Sequence, residues 1–293
     1  MKFRLILKTL VSSGLLLSCA NTGAVDSESL PFESKPKSVN VSPGMIDEAS
    51  GIAQSNTAGH NLWVEQDSGN PTEIYRLGAD GVLIGKVTIK GVTNRDWEDI
   101  VLSKGPATGT DYIYLAETGD NFSKHDFYQI YRFPEPVPMQ DTVESLDKIS
   151  FRYEDGSHDA EAILVDHISK DIYIITKRDA KSLVFRLAYP QSLTEPNVAR
   201  LVGELPFNGV VSASLALNSK EILIKTYTTI YYWKKEAGET IESTLRKTGQ
   251  KLGYSLEPQG EAICFAFDSS GFYTLSEKPL TSSSVDLHFY KRK

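Results

Sequence analysis

Five short segments of the chain resemble one another: Glu48-Ala49-Ser50-Gly51-Ile52, Asp96-Trp97-Glu98-Asp99-Ile100, Asp159-Ala160-Glu161-Ala162-Ile163, Val211-Ser212-Ala213-Ser214-Leu215 and Gln259-Gly260-Glu261-Ala262-Ile263. Four of them follow one formula: an acid or amide, any residue, Glu or Ser, a small or acidic residue, then Ile. With Leu215 as the counterpart of the isoleucines, the repeated positions are 52, 100, 163, 215 and 263, at spacings of 48, 63, 52 and 48 residues. Repetition on this scale leaves few architectures, all of which bury the apolar face of one repeat against the next.

Each segment is followed by a second β-like run: Leu62-Trp63-Val64, Tyr112-Ile113-Tyr114-Leu115, Ile172-Tyr173-Ile174-Ile175, Ile222-Leu223-Ile224 and Phe272-Tyr273-Thr274-Leu275. Third runs, such as Ile130-Tyr131-Arg132-Phe133, and weaker fourth runs, such as 83–89, 149–153 and 198–205, come next. Short β-branched and aromatic runs split by Gly, Asp and Asn read as strands. Helical periodicity is absent apart from a short exception at 239–252. Four strands recurring every ~50 residues make a propeller blade. The expected fold is therefore an all-β propeller of five four-stranded blades. The last blade has room for only three strands before Lys293, so Ser38-Val39-Asn40-Val41 is expected to supply the fourth and close the ring, removing exposed edges. The alternative is six blades, with the extra one in the long 100–163 interval. Pro134-Glu135-Pro136-Val137-Pro138 in that interval reads as a connection between third and fourth strands.

In a propeller the first strand lines the channel, and it is antiparallel to the second. The start of one and the end of the other therefore share a face. Glu48, Asp96, Glu98, Asp99, Asp159, Glu161 and Glu261 stand at first-strand starts. Asp67, Glu117, Asp120, Asn121, Lys177, Arg178 and Lys225 stand at second-strand ends. All are expected at one acidic mouth, made asymmetric by the fourth repeat. Convergent carboxylates cannot all stay ionised and unpaired. Cation partners, raised pKa values or a bound metal resolve the conflict, and an all-oxygen set suits Ca²⁺ or Mg²⁺. The five histidines form no zinc-like pair. Lys177, Arg178 and Lys225 are the anion-binding candidates. A structural use competes with all of these roles, because acids at strand starts can bond backbone amides of the next blade. The loops 67–70 and 119–121 are turn formers on the same face. Trp97 reads as core, or as a stacking surface at the rim. No P-loop, GxSxG, HExxH or CxxC is present, so no catalytic residue is assigned.

Residues 1–18 read as a secretory signal: Lys2, Arg4 and Lys8, then an apolar stretch, then Leu16-Leu17-Ser18-Cys19. The cysteine at the cut resembles a bacterial lipobox, which implies acylation of Cys19 and, with Ala20 following, outer-membrane attachment. Residues 19–36 are expected to be a flexible tether and 37–293 a single domain. Cys264, in an apolar run, reads as a buried thiol. The formal charge is −7, and loss of the three signal cations makes the remainder more acidic still. That balance argues against a nucleic-acid partner.

The segments 48–52, 62–70, 96–100, 119–121, 130–136, 159–163 and 259–263 together resemble a group of exported bacterial propellers. That group is similar to the SdiA-regulated propeller family and, more distantly, to phytase-like, esterase-like and NHL-type propellers. The resemblance runs over roughly residues 45–280. Phytase-like propellers bind Ca²⁺ at an acidic mouth and hydrolyse phosphate esters, so the resemblance implies calcium at this mouth. The expected protein is a monomeric, lipid-anchored envelope propeller that binds a small ligand or divalent cation, or another envelope protein. The alternatives are a Ca²⁺-dependent hydrolase of phosphate esters or lactones, with Lys177 or Arg178 holding the anion, and a purely structural interaction module.

Overall fold

The computed structural model describes residues 30–57, 59, 61–279, 282 and 284–293. The export signal, Cys19 and the first part of the tether lie outside the described residues. Strand β1 (Lys37–Asn40) precedes a first unit of β2 (Ala49–Gln54), β3 (Asn61–Gln66), β4 (Glu73–Gly78) and β5 (Leu83–Ile89). Next come β6 (Trp97–Lys104), β7 (Asp111–Glu117), β8 (Tyr128–Pro134), a two-residue β9 (Thr142–Val143) and β10 (Asp147–Tyr153). A third unit holds β11 (Ala160–Val165), β12 (Ile172–Thr176), β13 (Leu183–Leu187) and β14 (Asn197–Glu204). The fourth holds β15 (Val210–Leu215), β16 (Glu221–Thr226) and β17 (Ile230–Lys234), then a short helix α1 (Ile241–Leu245) and β18 (Gln250–Lys251). Strands β19 (Ala262–Phe265), β20 (Gly271–Leu275) and β21 (Asp286–Lys291) end the chain.

Within each unit, strands adjacent in sequence pair antiparallel, and β10 follows β8 in the same way. Strand β1 pairs antiparallel with β21, from Lys37 opposite Phe289 to Asn40 opposite Asp286, and so completes the last unit. The innermost strands lie side by side in the order β2, β6, β11, β15, β19, and β19 returns to β2. That closed ring of antiparallel sheets is a β-propeller.

Strand alternation explains how the ring holds together. On β11, Ala160, Ile163 and Val165 face the second unit, while Ala162 and Leu164 face the fourth. The same division recurs around the ring, so each core is shared by two neighbouring units. Each fully buried Leu, Ile or Phe there contributes about 1.5–3 kcal/mol. Trp97 is one of these core residues, with no exposed surface, and it does not serve as a stacking surface. Cys264 is likewise buried.

Two parallel pairings depart from a simple ring. Strand β9 joins the outer edge of the first unit, with Thr88 opposite Thr142. Strand β10 pairs with β14 through Phe151 opposite Asn197, merging two units into one eight-stranded sheet. The proline-rich stretch after β8 is indeed a connection, but it also reaches the first unit. There the buried Glu135 accepts hydrogen bonds from Trp63 Nε1 (3.0 Å), Ser55 Oγ (2.7 Å), Asn56 N (2.9 Å) and Thr57 N (3.1 Å).

The packed body begins ahead of the expected boundary at residue 37. Phe32 is buried against Tyr232, Phe265 and Phe272. Its backbone bridges Arg292, and Glu33 N donates to Lys291 O at 2.8 Å. Residues 30–33 are thus part of the fold, because one large aromatic side chain fills the seam between the fourth and last units.

Candidate functional site

One backbone device, repeated around the ring, builds the mouth. The first residue of the inner strand pairs with the last of the second strand: Ala49 with Gln66, Trp97 with Glu117, Ala160 with Thr176 and Val210 with Thr226. In all four pairs the register then slips by one, leaving Ser50, Glu98, Glu161 and Val211 unpaired. Such bulges re-aim a side chain. Glu261 occupies the corresponding place just before β19. This register corrects the reading of the fourth repeat. Ala213, opposite Ile224, stands where Ile163, opposite Ile174, stands in the third unit, so Leu215 lies two residues too late. A shift of two preserves strand alternation, so the apolar pattern could not reveal it.

Glu98 is the hub of the mouth. It belongs to two groups of three carboxylates, one with Asp67 and Asp96 and one with Asp159 and Glu161. In each group, one oxygen per residue lies within 4.8 Å of the others. The second group is matched by cations. Lys177 Nζ pairs with Glu161 and lies 3.0 Å from Tyr227 Oη and 3.7 Å from Glu261. Arg178 Nε lies 2.6 Å from Asp159 and also bonds Asn121. Burial works against the Lys177 charge, but Glu161, Tyr227 and Glu261 outweigh it and lift the ammonium above its ordinary range.

The first group has no ion-pair partner among the described residues. Burial, then Asp67 and Asp159, push Asp96 up to about 6. Burial, then Glu161, Asp67 and Asp96, raise Glu98 well above the carboxylate range, against Lys177. Gly119 supplies the space between these acids, since a β-carbon there would collide with Glu98 Oε1 and Asp96 Oδ2. At the rim, burial, Glu261 and Asp67 push Glu277 up to about 7.

Other candidates serve the scaffold. Asp99 is fully buried and accepts from Ile163 N (2.9 Å), Ser212 Oγ (3.2 Å) and Ile100 N (3.0 Å), tying three inner strands together. Glu117 accepts from Asp96 N (2.6 Å) and Arg95 N (3.1 Å). Asp120 organises its own loop through Lys124 N, His125 N and Tyr128 Oη, each at 2.9 Å. Glu48 is exposed and holds Asn70 Nδ2 at 2.7 Å. Lys225 is fully buried. Its Nζ bonds Gly260 O and Tyr254 Oη (2.8 Å), with Glu257 at 3.6 Å. That enclosure leaves no open side for an anion, which removes Lys225 from the anion-binding candidates.

Glu65 escaped the sequence reading. It is fully buried, and neither carboxylate oxygen has a hydrogen-bond partner among the described residues. Burial, then Asp67, Asp99 and Glu261, raise its pKa. Its partner across the sheet is Gly51, where a β-carbon would lie 2.7 Å from Glu65 Oε1 and 2.6 Å from Ile100 N. A glycine opposite a charged residue in an apolar run was the available signal.

No family model and no curated protein matches the sequence. Among solved structures, the chain is similar to the RRP9 WD40 repeats, at 9% identity and a TM-score of 0.47, over 89% of this chain and 100% of that one. It is also similar to the Cps50 (Swd1) β-propeller domain of Myceliophteria thermophila, at 10% identity and a TM-score of 0.43, over 88% of this chain and 100% of that one. Neither likeness bears on activity.

Proposed function

We propose that this propeller captures a divalent cation, Ca²⁺ or Mg²⁺, at its acidic mouth, with Glu98 as the shared ligand. The observation that carries this reading is the unneutralised group Asp67, Asp96 and Glu98. Its members crowd one another, and burial disfavours their charge. A hard cation relieves both penalties, and an oxygen-only donor set suits it. Gly119 keeps the space between two of the ligands open. Lys177 and Arg178, the cations a hydrolase would need for its substrate anion, are already engaged by Glu161 and Asp159. Capture is therefore the reading preferred over turnover. The accompanying picture is an exported monomer of the bacterial envelope, held through an acylated Cys19 and resembling the SdiA-regulated propellers.

The test is calorimetric titration of the chelator-stripped protein with Ca²⁺ and Mg²⁺. Saturable binding is expected, weakened at least about tenfold by Glu98→Gln or Gly119→Ala while the melting transition stays cooperative. Absence of binding at millimolar cation, or unchanged affinity in both variants, overturns the reading.

A further inference from the structure

The end of the molecule opposite the mouth carries a second candidate site of opposite character. A cavity of about 520 Å³ opens there, between the turn joining β15 to β16, the end of β17, the stretch after α1, Pro31 and Arg292. That volume suits a small organic ligand. Lys220, Lys234, Lys247 and Arg292 line it, over Trp233 and Pro31. The acid in its wall, Glu221, is held by Arg292 through bonds of 2.8 and 2.9 Å. Arg292 also packs its guanidinium over Phe32, 4.6 Å from the ring centre, so the wall is fixed by the same strap that starts the fold. Lys247 is paired with Glu239, Lys234 has only the exposed Glu236 at 3.7 Å, and Lys220 has no ion-pair partner among the described residues. A chain of formal charge −7 thus gathers unsatisfied positive charge in one cavity.

We propose that this cavity binds a phosphate group carried on an apolar body. The two available lysines, Lys220 before β16 and Lys234 at the end of β17, come from separate elements, an arrangement that suits a compact anion met from two sides. The arginine fork, which would serve a carboxylate or a phosphate alike, is already engaged by Glu221, so the free donors are lysine ammonium groups, point charges of the kind that bind phosphate. Pro31 and the edge of Trp233 offer the apolar contact. Such a phosphate could come from an anionic lipid headgroup or from a soluble phosphate monoester. The inference uses no residue of the mouth, so the two proposals succeed or fail separately.

The test uses the full chain carrying Cys19→Ser, so that no acyl group contributes. Cosedimentation with phosphatidylglycerol–phosphatidylcholine vesicles is compared with phosphatidylcholine alone, and sn-glycerol 3-phosphate is titrated by calorimetry. Binding in either arm is expected to fall about tenfold or more in Lys220→Glu/Lys234→Glu. It is expected to hold in Lys86→Glu/Lys181→Glu, which makes the same charge change on exposed lysines elsewhere. Vesicle binding that glycerol phosphate does not displace identifies a headgroup. Calorimetric binding, with displacement of any vesicle signal, identifies a soluble monoester. Failure to bind in both arms, or equal loss in both double variants, overturns the proposal.

Discussion

At the residue scale, Asp96, Glu98 and Glu277 share one problem, which is charge held near charge with too little water. Folding raises the pKa of Asp96 from 3.8 to about 6 and of Glu277 from 4.5 to about 7. The folded state therefore binds more protons than the unfolded one between those values, and stability falls as pH rises through that window. In chelator, the melting temperature is expected to drop between about pH 5 and about pH 7.5, and added Ca²⁺ is expected to flatten the profile. A melting temperature rising over that range would show that these acids are paired in some other way. The sequence named every acid in the two carboxylate groups, because strand order alone brings them to one end. It did not reveal which would be neutralised. That depends on Lys177 and Arg178 pairing with Glu161 and Asp159, and side-chain direction leaves no mark in a repeat motif. Glu65 and Lys225 show the same limit. Each is a fully buried ionisable side chain at matching places on β3 and β16, facing Gly51 and Ser212 across the sheet.

At the element scale, the bulge that turns Glu98 toward the mouth is followed at once by Asp99, which ties β6 to β11 and β15. Asp99→Ala would strand buried donors at Ile163 N and Ser212 Oγ. The expected cost is on the order of 3 kcal/mol, read by urea denaturation, with Ca²⁺ affinity largely preserved. A loss below about 0.5 kcal/mol would mean that the inner strands do not depend on this tie. The bulges were invisible beforehand because one extra residue looks like ordinary variation in a degenerate motif. Most strands were legible, including the fourth strands of the first three units, and so was the short helix, since β-branched runs and turn residues mark them locally; the two-residue β18, inside the stretch read as helical, was not. The parallel pairings β5–β9 and β10–β14 were not. They join outer edges across units and rest on loop paths that local pattern does not encode.

At the scale of the whole molecule, the ring is sealed twice, by β1 on β21 and by Phe32 in the last seam. Phe32→Ala empties a buried aromatic site between two units and is expected to cost about 3–5 kcal/mol in thermal or urea unfolding. A neutral result would return residues 30–36 to the tether that composition suggested. Composition misled there because the polar residues around Phe32 dominate the local average, whereas a single buried ring decides the packing. Strand β1 has a consequence in time as well as in space. Its pairing with β21 joins residues 250 positions apart. Folds that rely on such distant partners complete slowly, and loop closure between them must precede any reward. Until the last few residues emerge, β1 has no mate and the edge of β20 stays open. A nascent chain therefore passes through an interval in which every earlier unit exists but nothing closes the circle, and whatever escorts it must cover two unpaired strands at opposite ends of the sequence.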